Sequence, residues 1–279
     1  MRRAAAANVL KAWLLFAITA ALAGSFGWLL GGFRPASIFA FCAVLAGLAV
    51  YAYADRALMG MLGAREHALA EDPLLDSTLA RLAAKAGVAK PKLYVIADGF
   101  PRVFCAGRGP RSSALAVSTG LLGALPPAEL DAVVAHELAH VRSRDVLVQT
   151  FAVSFAVTLV ELSRIGGWLE RTLLFVLAPV ASAFVHLLLS PRREFAADTF
   201  AAQLCGTPHG IADALVRLDR AGDLVSFQAS AATEPLYTVN PFEPEGIARM
   251  FVTHPPLEER VARLRELDPT ARAGRLDAA

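Results

Sequence analysis

The chain has 279 residues, of which 56% are hydrophobic and 19% are charged, and its formal net charge is +2. Such an apolar composition is unusual for a soluble domain and is typical of a membrane protein with a modest soluble part. The balanced charge, without a basic patch interleaved with aromatic residues, argues against nucleic-acid binding. The 3 cysteines are widely spaced, so neither a disulfide framework nor a thiolate metal site is expected.

Two uncharged stretches, 12–33 and 35–54, open the chain and are separated by Arg34. Each has about the 20 residues that a membrane-spanning helix needs. A cleaved signal peptide is the alternative for the first stretch, but its length and the second stretch that follows directly favour a transmembrane hairpin over residues 1–56. Basic residues cluster at the two outer ends, so both ends are expected in the cytoplasm.

The pattern over residues 57–145 predicts the first part of an α+β domain. An amphipathic helical pattern runs from Arg56 to Gly87, and glycine commonly ends helices. Three short runs rich in apolar and β-branched residues then predict strands at 92–97, 103–106 and 114–118.

The next segment is His136-Glu137-Leu138-Ala139-His140, in a helical run that starts at Pro126-Pro127. On a helix, His136 and His140 lie on one face, so both imidazoles can reach one metal ion. Zinc suits such ligands, and it lowers the pKa of a water molecule towards about 7, so that Glu137 can accept the proton. The alternative is an ordinary histidine pair, which is disfavoured because the start signal and an apolar stripe indicate a packed helix.

Two apolar runs separate this motif from the next and predict a second hydrophobic hairpin over residues 146–191. Since His140 and a later ligand must meet at one ion, the chain has to leave and return to the same side of the membrane. The first run is short for a span, so two full crossings and a shallow re-entrant pair are both open.

A third ligand is expected in the second part of that domain, residues 192–279. Glu194 and Asp198 lie one helical turn apart after Pro191. Glu194 can complete a His-His-Glu set, and Asp198 can accept the spare ring N–H of a ligand histidine and fix its tautomer. Taken alone, the pair would be interpreted as charges balancing Arg192 and Arg193, but together with the first motif the ligand interpretation is favoured. The irregular segment 223–244 fits either a flap over the cleft or a plain loop.

With these motifs in order, the chain resembles the HtpX heat-shock membrane proteases, relatives of the CAAX prenyl proteases among the gluzincin metallopeptidases. The matching segments lie between about Asp76 and Leu267 and are Ala114–Leu122, His136–His140, Arg193–Asp198 and Thr253–Arg260. The resemblance implies one Zn²⁺ per chain, held by His136, His140 and Glu194, with Glu137 as the general base.

The resemblance also implies that His254 bonds the substrate or stabilises the oxyanion. Capping of the following helix is the alternative role for this residue. Metalloproteases commonly add an extended substrate to a sheet edge, which makes Val103, Phe104 and Cys105 candidates for substrate binding. The family usually has Asn-Ala-Phe where this chain has Arg102-Val103-Phe104.

We therefore expect an α+β, mainly helical membrane protein, with a zincin-type metalloprotease domain, a small β-sheet and two hydrophobic hairpins. Its expected function is zinc-dependent peptide hydrolysis in membrane-protein quality control or processing, on the cytoplasmic side of a bacterial inner membrane. Protein or peptide substrates, membrane proteins among them, and the lipid bilayer are its expected partners. The alternatives are a catalytically latent scaffold, which would be expected to lose Glu137 or a ligand, and a prenyl-protein protease, which needs more apolar runs to enclose its chamber.

Overall fold

The computed structural model describes residues 2–66, 73–164, 170–222 and 252–268, together with Thr233, Leu236 and Thr238. Apart from those three positions, the flap or loop expected at 223–244 lies outside the described residues. The helices are α1 (Arg2–Gly31), α2 (Phe33–Met61), α3 (Pro73–Ala86), α4 (Thr119–Ala124), α5 (Pro127–Ser143), α6 (Asp145–Arg164), α7 (Glu170–Leu188), α8 (Arg192–Cys205), α9 (His209–Gly222) and α10 (Leu257–Glu266). The strands are β1 (Ala64–Glu66), β2 (Lys92–Ile96), β3 (Val103–Gly109) and β4 (Ser112–Ser118). The predicted class, α+β and mainly helical with a small sheet, is confirmed.

The first two helices pack along each other and are long and apolar enough to cross a membrane. Their candidate spans are Ala4–Gly31 and Phe33–Tyr53, of 28 and 21 residues. Large apolar side chains on both helices are exposed, and Leu29 is 83% exposed. A core helix of a soluble protein would bury such side chains, so these faces suit contact with lipid.

The sheet has the strand order β1-β2-β4-β3, so that β1 and β3 are its edges. The central strands β2 and β4 pair in parallel, and both edge strands pair in the antiparallel direction. The three predicted strands are found as β2, β3 and β4. The helical pattern expected from Arg56 to Gly87 is wrong at β1, because Ala64–Glu66 pairs with β2. Three residues are too few for an alternating pattern, so this strand depends on its partner.

The sheet lies between two apolar layers, and successive side chains of β3 point alternately into one layer and the other. Val103 and Cys105 pack in the layer that contains α3, α5 and α9. Phe104 and Ala106 pack in the layer formed with α2, α6 and α7. This alternation is that of a strand buried on both faces. The helices α3, α5 and α9 therefore lie on one face of the sheet, and α2, α6 and α7 lie on the other.

The helices α6 and α7 pack against each other. The start of α6 and the end of α7 both lie beside the first turns of α1. Asn8 of α1 contacts Asp145 at the start of α6, with Nδ2 and Oδ1 2.5 Å apart. One turn later, Lys11 Nζ donates to the carbonyl oxygen of Leu188, at the end of α7, at 3.2 Å. The end of α7 therefore lies near the start of α6. As a result α8, which follows α7, can pack against α5, which precedes α6.

Candidate metal centre

The histidine motif lies on α5, which begins at Pro127 with Pro126 as its N-cap, as the sequence predicted. Every residue from Ala132 to Val141 is buried, because α3, α8, α9 and β3 pack around this helix. His136 and His140 are only 1% and 4% exposed. They are therefore not a surface pair, and buried polar rings of this kind require partners.

Helix α8 begins after Pro191 and packs against α5, which places Glu194 beside both histidines. His136 Nε2 lies 3.3 Å from His140 Nε2 and 3.5 Å from Glu194 Oε2, and His140 Nε2 lies 3.7 Å from Glu194 Oε1. Bonds of about 2.0–2.2 Å to a tetrahedral zinc ion would set its ligand atoms about 3.3–3.5 Å apart. These three buried residues could therefore hold a metal ion.

The charge around these residues also fits a metal. In the described part of the chain, the centre contains four carboxylates, those of Glu137, Asp145, Glu194 and Asp198. It also contains two guanidiniums, those of Arg193 and Arg260. With neutral imidazoles, two formal negative charges are left in a largely buried place, which is unfavourable. Neither oxygen of Glu194 accepts a well-aligned hydrogen bond from the described residues, although Arg193 Nε lies 3.1 Å from Oε1. A divalent cation would balance the charge and bind those oxygens.

Charged neighbours outweigh burial in setting two pKa values at the centre. Burial alone would lower the pKa of His136, but the carboxylates of Asp198 and Glu194 beside its ring raise it to about 9. Burial alone would raise the pKa of Glu194, but the nearby His254 imidazole and further cationic groups hold it well below its ordinary value. The centre thus keeps its carboxylates ionised and attracts a cation, and metal binding has to release the proton from His136.

The outward ring nitrogen of each histidine meets a carboxylate. His136 Nδ1 lies 2.9 Å from Asp198 Oδ1, and His140 Nδ1 lies 3.3 Å from Asp145 Oδ2. A carboxylate at Nδ1 favours the tautomer that leaves the Nε2 lone pair for a metal. Asp198 lies where the sequence analysis expected it. Asp145 was missed, because one acidic residue at the border of an apolar run is also an ordinary helix start.

Arg260 on α10 is a further residue that the sequence analysis missed. Its side chain is 2% exposed, and its Nε and Nη2 atoms donate to the two oxygens of Asp198 at 2.8 and 2.7 Å. Its Nη1 donates to the carbonyl oxygen of Thr238 at 2.6 Å. Burial alone would raise the pKa of Asp198, but Arg260 lowers it to about 2. Arg260 therefore keeps Asp198 ionised and oriented towards His136.

Glu137 contacts the edge of the sheet. Its Oε2 accepts a hydrogen bond from the backbone N–H of Cys105 at 2.9 Å, and its Oε1 accepts one from the hydroxyl of Thr238 at 3.1 Å. The same hydroxyl lies 3.5 Å from the carbonyl oxygen of Val103. Since the side chains of Val103, Phe104 and Cys105 are buried, this edge strand can offer a substrate only its backbone.

His254 lies against the candidate ligand Glu194, with Nδ1 3.3 Å from Oε2. Neither of its buried ring nitrogens has a hydrogen-bond partner in the part of the chain that the structure describes. No described side chain caps α10, whose N-cap is Pro256, so the capping role considered for His254 is not supported. Its ring is available to another group beside the metal ligands.

Comparison with known proteins shows the family of the chain. Residues 69–268 match the model of peptidase family M48. This chain belongs to that family. A protein named "Protease HtpX homolog" from Pelotomaculum thermopropionicum is 38% identical over 275 residues, which cover 92% of this chain and 98% of the relative. A protein of the same name from Acidiphilium cryptum is 39% identical over 277 residues, with 93% and 96% covered.

One solved structure, that of Ste24p from S. mikatae, covers 91% of this chain with a TM-score of 0.48 and 19% sequence identity. The match spans 66% of that protein, about two thirds of its length. The family and the HtpX relatives confirm the resemblance that the sequence motifs indicated. The protein is therefore a membrane protease of a metalloprotease family, with a buried His-His-Glu group that could bind its metal.

Proposed function

We propose that the protein is a membrane-anchored, zinc-dependent endopeptidase that acts in membrane-protein quality control or processing. The convergence of His136 Nε2, His140 Nε2 and the Glu194 carboxylate in a buried place with excess negative charge carries this proposal. Zinc bound by these atoms would act as a Lewis acid. It would polarise a peptide carbonyl and lower the pKa of a water molecule.

Glu137 is the general base in this proposal. Its carboxylate accepts the proton of the attacking water and passes it to the leaving amine. The Cys105 N–H and the Thr238 hydroxyl each bind one of its oxygens, at 2.9 and 3.1 Å, so the carboxylate is oriented before a substrate arrives. Because Cys105 belongs to the edge strand, the base is also fixed relative to the strand that would bind the peptide.

We expect an extended substrate to lie along the outward edge of β3, where it would donate a hydrogen bond to the carbonyl oxygen of Val103. It would replace the contact that the Thr238 hydroxyl now makes with Val103. Backbone pairing demands little of the substrate sequence, which suits a protease that removes varied proteins. His254 would donate a hydrogen bond to the carbonyl oxygen of the scissile peptide as negative charge develops there.

The cytoplasmic side of a bacterial inner membrane is the proposed location of the catalytic domain. Basic residues lie at the start of α1, at Arg2 and Arg3, and after the apolar part of α2, at Arg56. The start of α1 lies beside the metal centre, since Asn8 contacts Asp145. Near the end of α2, Leu58 and Met59 pack in one core with Phe104 of β3. Both observations agree with the positive-inside rule.

The proposal is tested on full-length protein purified in mild detergent, with Glu137→Gln beside the wild type. One zinc per chain is expected in both, and chelator-sensitive cleavage of casein and of a membrane protein only in the wild type. Glu129→Gln is the matched control on the same helix, since Glu129 pairs with Arg217 away from the ligands and cleavage should persist. Zinc without cleavage in any variant would favour a latent scaffold, and a wild type without zinc would refute the metal centre.

A further inference from the structure

We infer that α1 is part of the metal centre as well as a membrane anchor, because Asn8 positions His140 through Asp145. The inference rests on the proposed function, in which His140 is a metal ligand. Asn8 is a positioning residue in this arrangement, since it touches neither the metal ligands nor a substrate.

The amide of Asn8 holds the junction between α5 and α6. Its Nδ2 donates to Asp145 Oδ1 at 2.5 Å and to the carbonyl oxygen of Ser143 at 3.0 Å. Asn8 is 8% exposed although it lies on a helix whose apolar side chains are largely exposed. A buried amide needs such partners, and here both come from residues 135 and 137 positions later in the chain.

The two oxygens of Asp145 have different partners. Oδ1 accepts the hydrogen bond from Asn8, whereas Oδ2 accepts one from the Ser143 hydroxyl at 2.6 Å and lies 3.3 Å from His140 Nδ1. Fixing Oδ1 therefore fixes the rotation of the carboxylate that faces the histidine. A carboxylate at this nitrogen sets the orientation of the ring and raises its basicity towards a metal.

The backbone between the two helices is folded to make this contact. Arg144 has φ 60°, and it is the one residue other than glycine with a positive φ in the described ranges. A left-handed conformation is uncommon for arginine and is kept only where its surroundings impose it. Here it turns the chain so that Asp145 lies beside His140, and Asn8 holds the turned segment from outside.

This arrangement links zinc affinity to the docking of α1. Lys11, one turn from Asn8, donates to the carbonyl oxygen of Leu188, so α1 is held against both hydrophobic helices that flank the centre. A chain whose first helix has not packed in place would keep all three ligands but lose the support of His140. Strong metal binding would then require that the first helix is in place.

The test measures zinc affinity of full-length protein by competition with a chromogenic chelator. Replacing Asp145 with alanine should weaken zinc binding by about 10–100-fold, as for other partners of metal ligands. Replacing Asn8 with leucine, which has a similar size and no hydrogen bonds, should weaken it by about 3–10-fold, because only the orientation of the carboxylate is lost. The absorption bands of the cobalt-substituted protein should change in both variants, since they report ligand geometry.

The double variant Asn8→Leu/Asp145→Ala separates positioning from general stability. It should bind zinc no more weakly than Asp145→Ala alone, because Asn8 acts through Asp145. Leu14→Met, at an exposed position of the same helix, is the matched control and should keep wild-type affinity and cobalt bands. If Asn8→Leu fails to fold, Asn8→Ala takes its place, since alanine is the best helix former.

Three results would overturn the inference: wild-type zinc affinity in the Asn8 variant, losses that multiply in the double variant, or an equal loss in Leu14→Met. Each leaves the proposed function intact as long as the wild type binds zinc. A wild type that binds no zinc would overturn the proposed function and this inference together.

Discussion

Arg260 is buried beside the metal centre, and its replacement by methionine should be strongly destabilising. The guanidinium donates to both oxygens of Asp198, at 2.8 and 2.7 Å, and to the carbonyl of Thr238 at 2.6 Å. Removing one partner of such a buried ion pair leaves an uncompensated charge and costs about 3–5 kcal/mol of unfolding free energy. Methionine retains much of the apolar volume, so the loss reports mainly on the charge contacts.

The assay is chemical denaturation of the metal-free and zinc-loaded full-length protein. Zinc should restore part of the stability lost in Arg260→Met, because it supplies positive charge near Asp198. The variant Arg260→Met/Asp198→Asn removes both charges and should be more stable than Arg260→Met alone. Arg265→Met, at an exposed position of the same helix, should stay within about 0.5 kcal/mol of the wild type. Wild-type stability of Arg260→Met, or a double variant less stable than the single one, would refute this account.

Three further substitutions test the ligands and the fold. Glu194→Ala should weaken zinc binding by more than the roughly 100-fold upper range for groups that only support a ligand, and an unchanged zinc content would show that another residue is the third ligand. Asp198→Ala should weaken zinc binding by about 10–100-fold, whereas full affinity and activity would remove it from the centre. Gly120→Ala should lower the thermal denaturation temperature because its Cβ would lie 2.0 Å from the carbonyl oxygen of Gly99. Gly123→Ala on the same helix meets nothing within 4 Å and is the control, expected to be neutral or slightly stabilising.

The elements that the sequence predicted are those with a local signal. Pro127 and Pro191 mark the starts of α5 and α8, because proline suits the first turn of a helix and cannot continue a preceding one. The strands β2, β3 and β4 carry apolar and β-branched residues over five to seven positions. By contrast, β1 is three residues long, and only its pairing with β2 makes it a strand.

The same distinction holds within the centre. The two histidines could be paired from sequence because one helix suffices to bring them together. Other contacts of the centre join residues that are far apart in the chain, so no local pattern encodes them. Their separations are 62, 101 and 137 positions, for Asp198 with Arg260, Glu137 with Thr238, and Asn8 with Asp145.

The carboxylates that support the centre are each held by a different part of the fold: Asp198 by α10, Asp145 by α1, and Glu137 by the edge strand β3. Because these carboxylates repel one another in a largely buried place, each needs its own donors to stay ionised and oriented. A divalent cation lowers that repulsion for all of them at once, so metal binding and the docking of these three elements should stabilise each other. Loosening any one element should therefore weaken metal binding before the rest of the fold is lost.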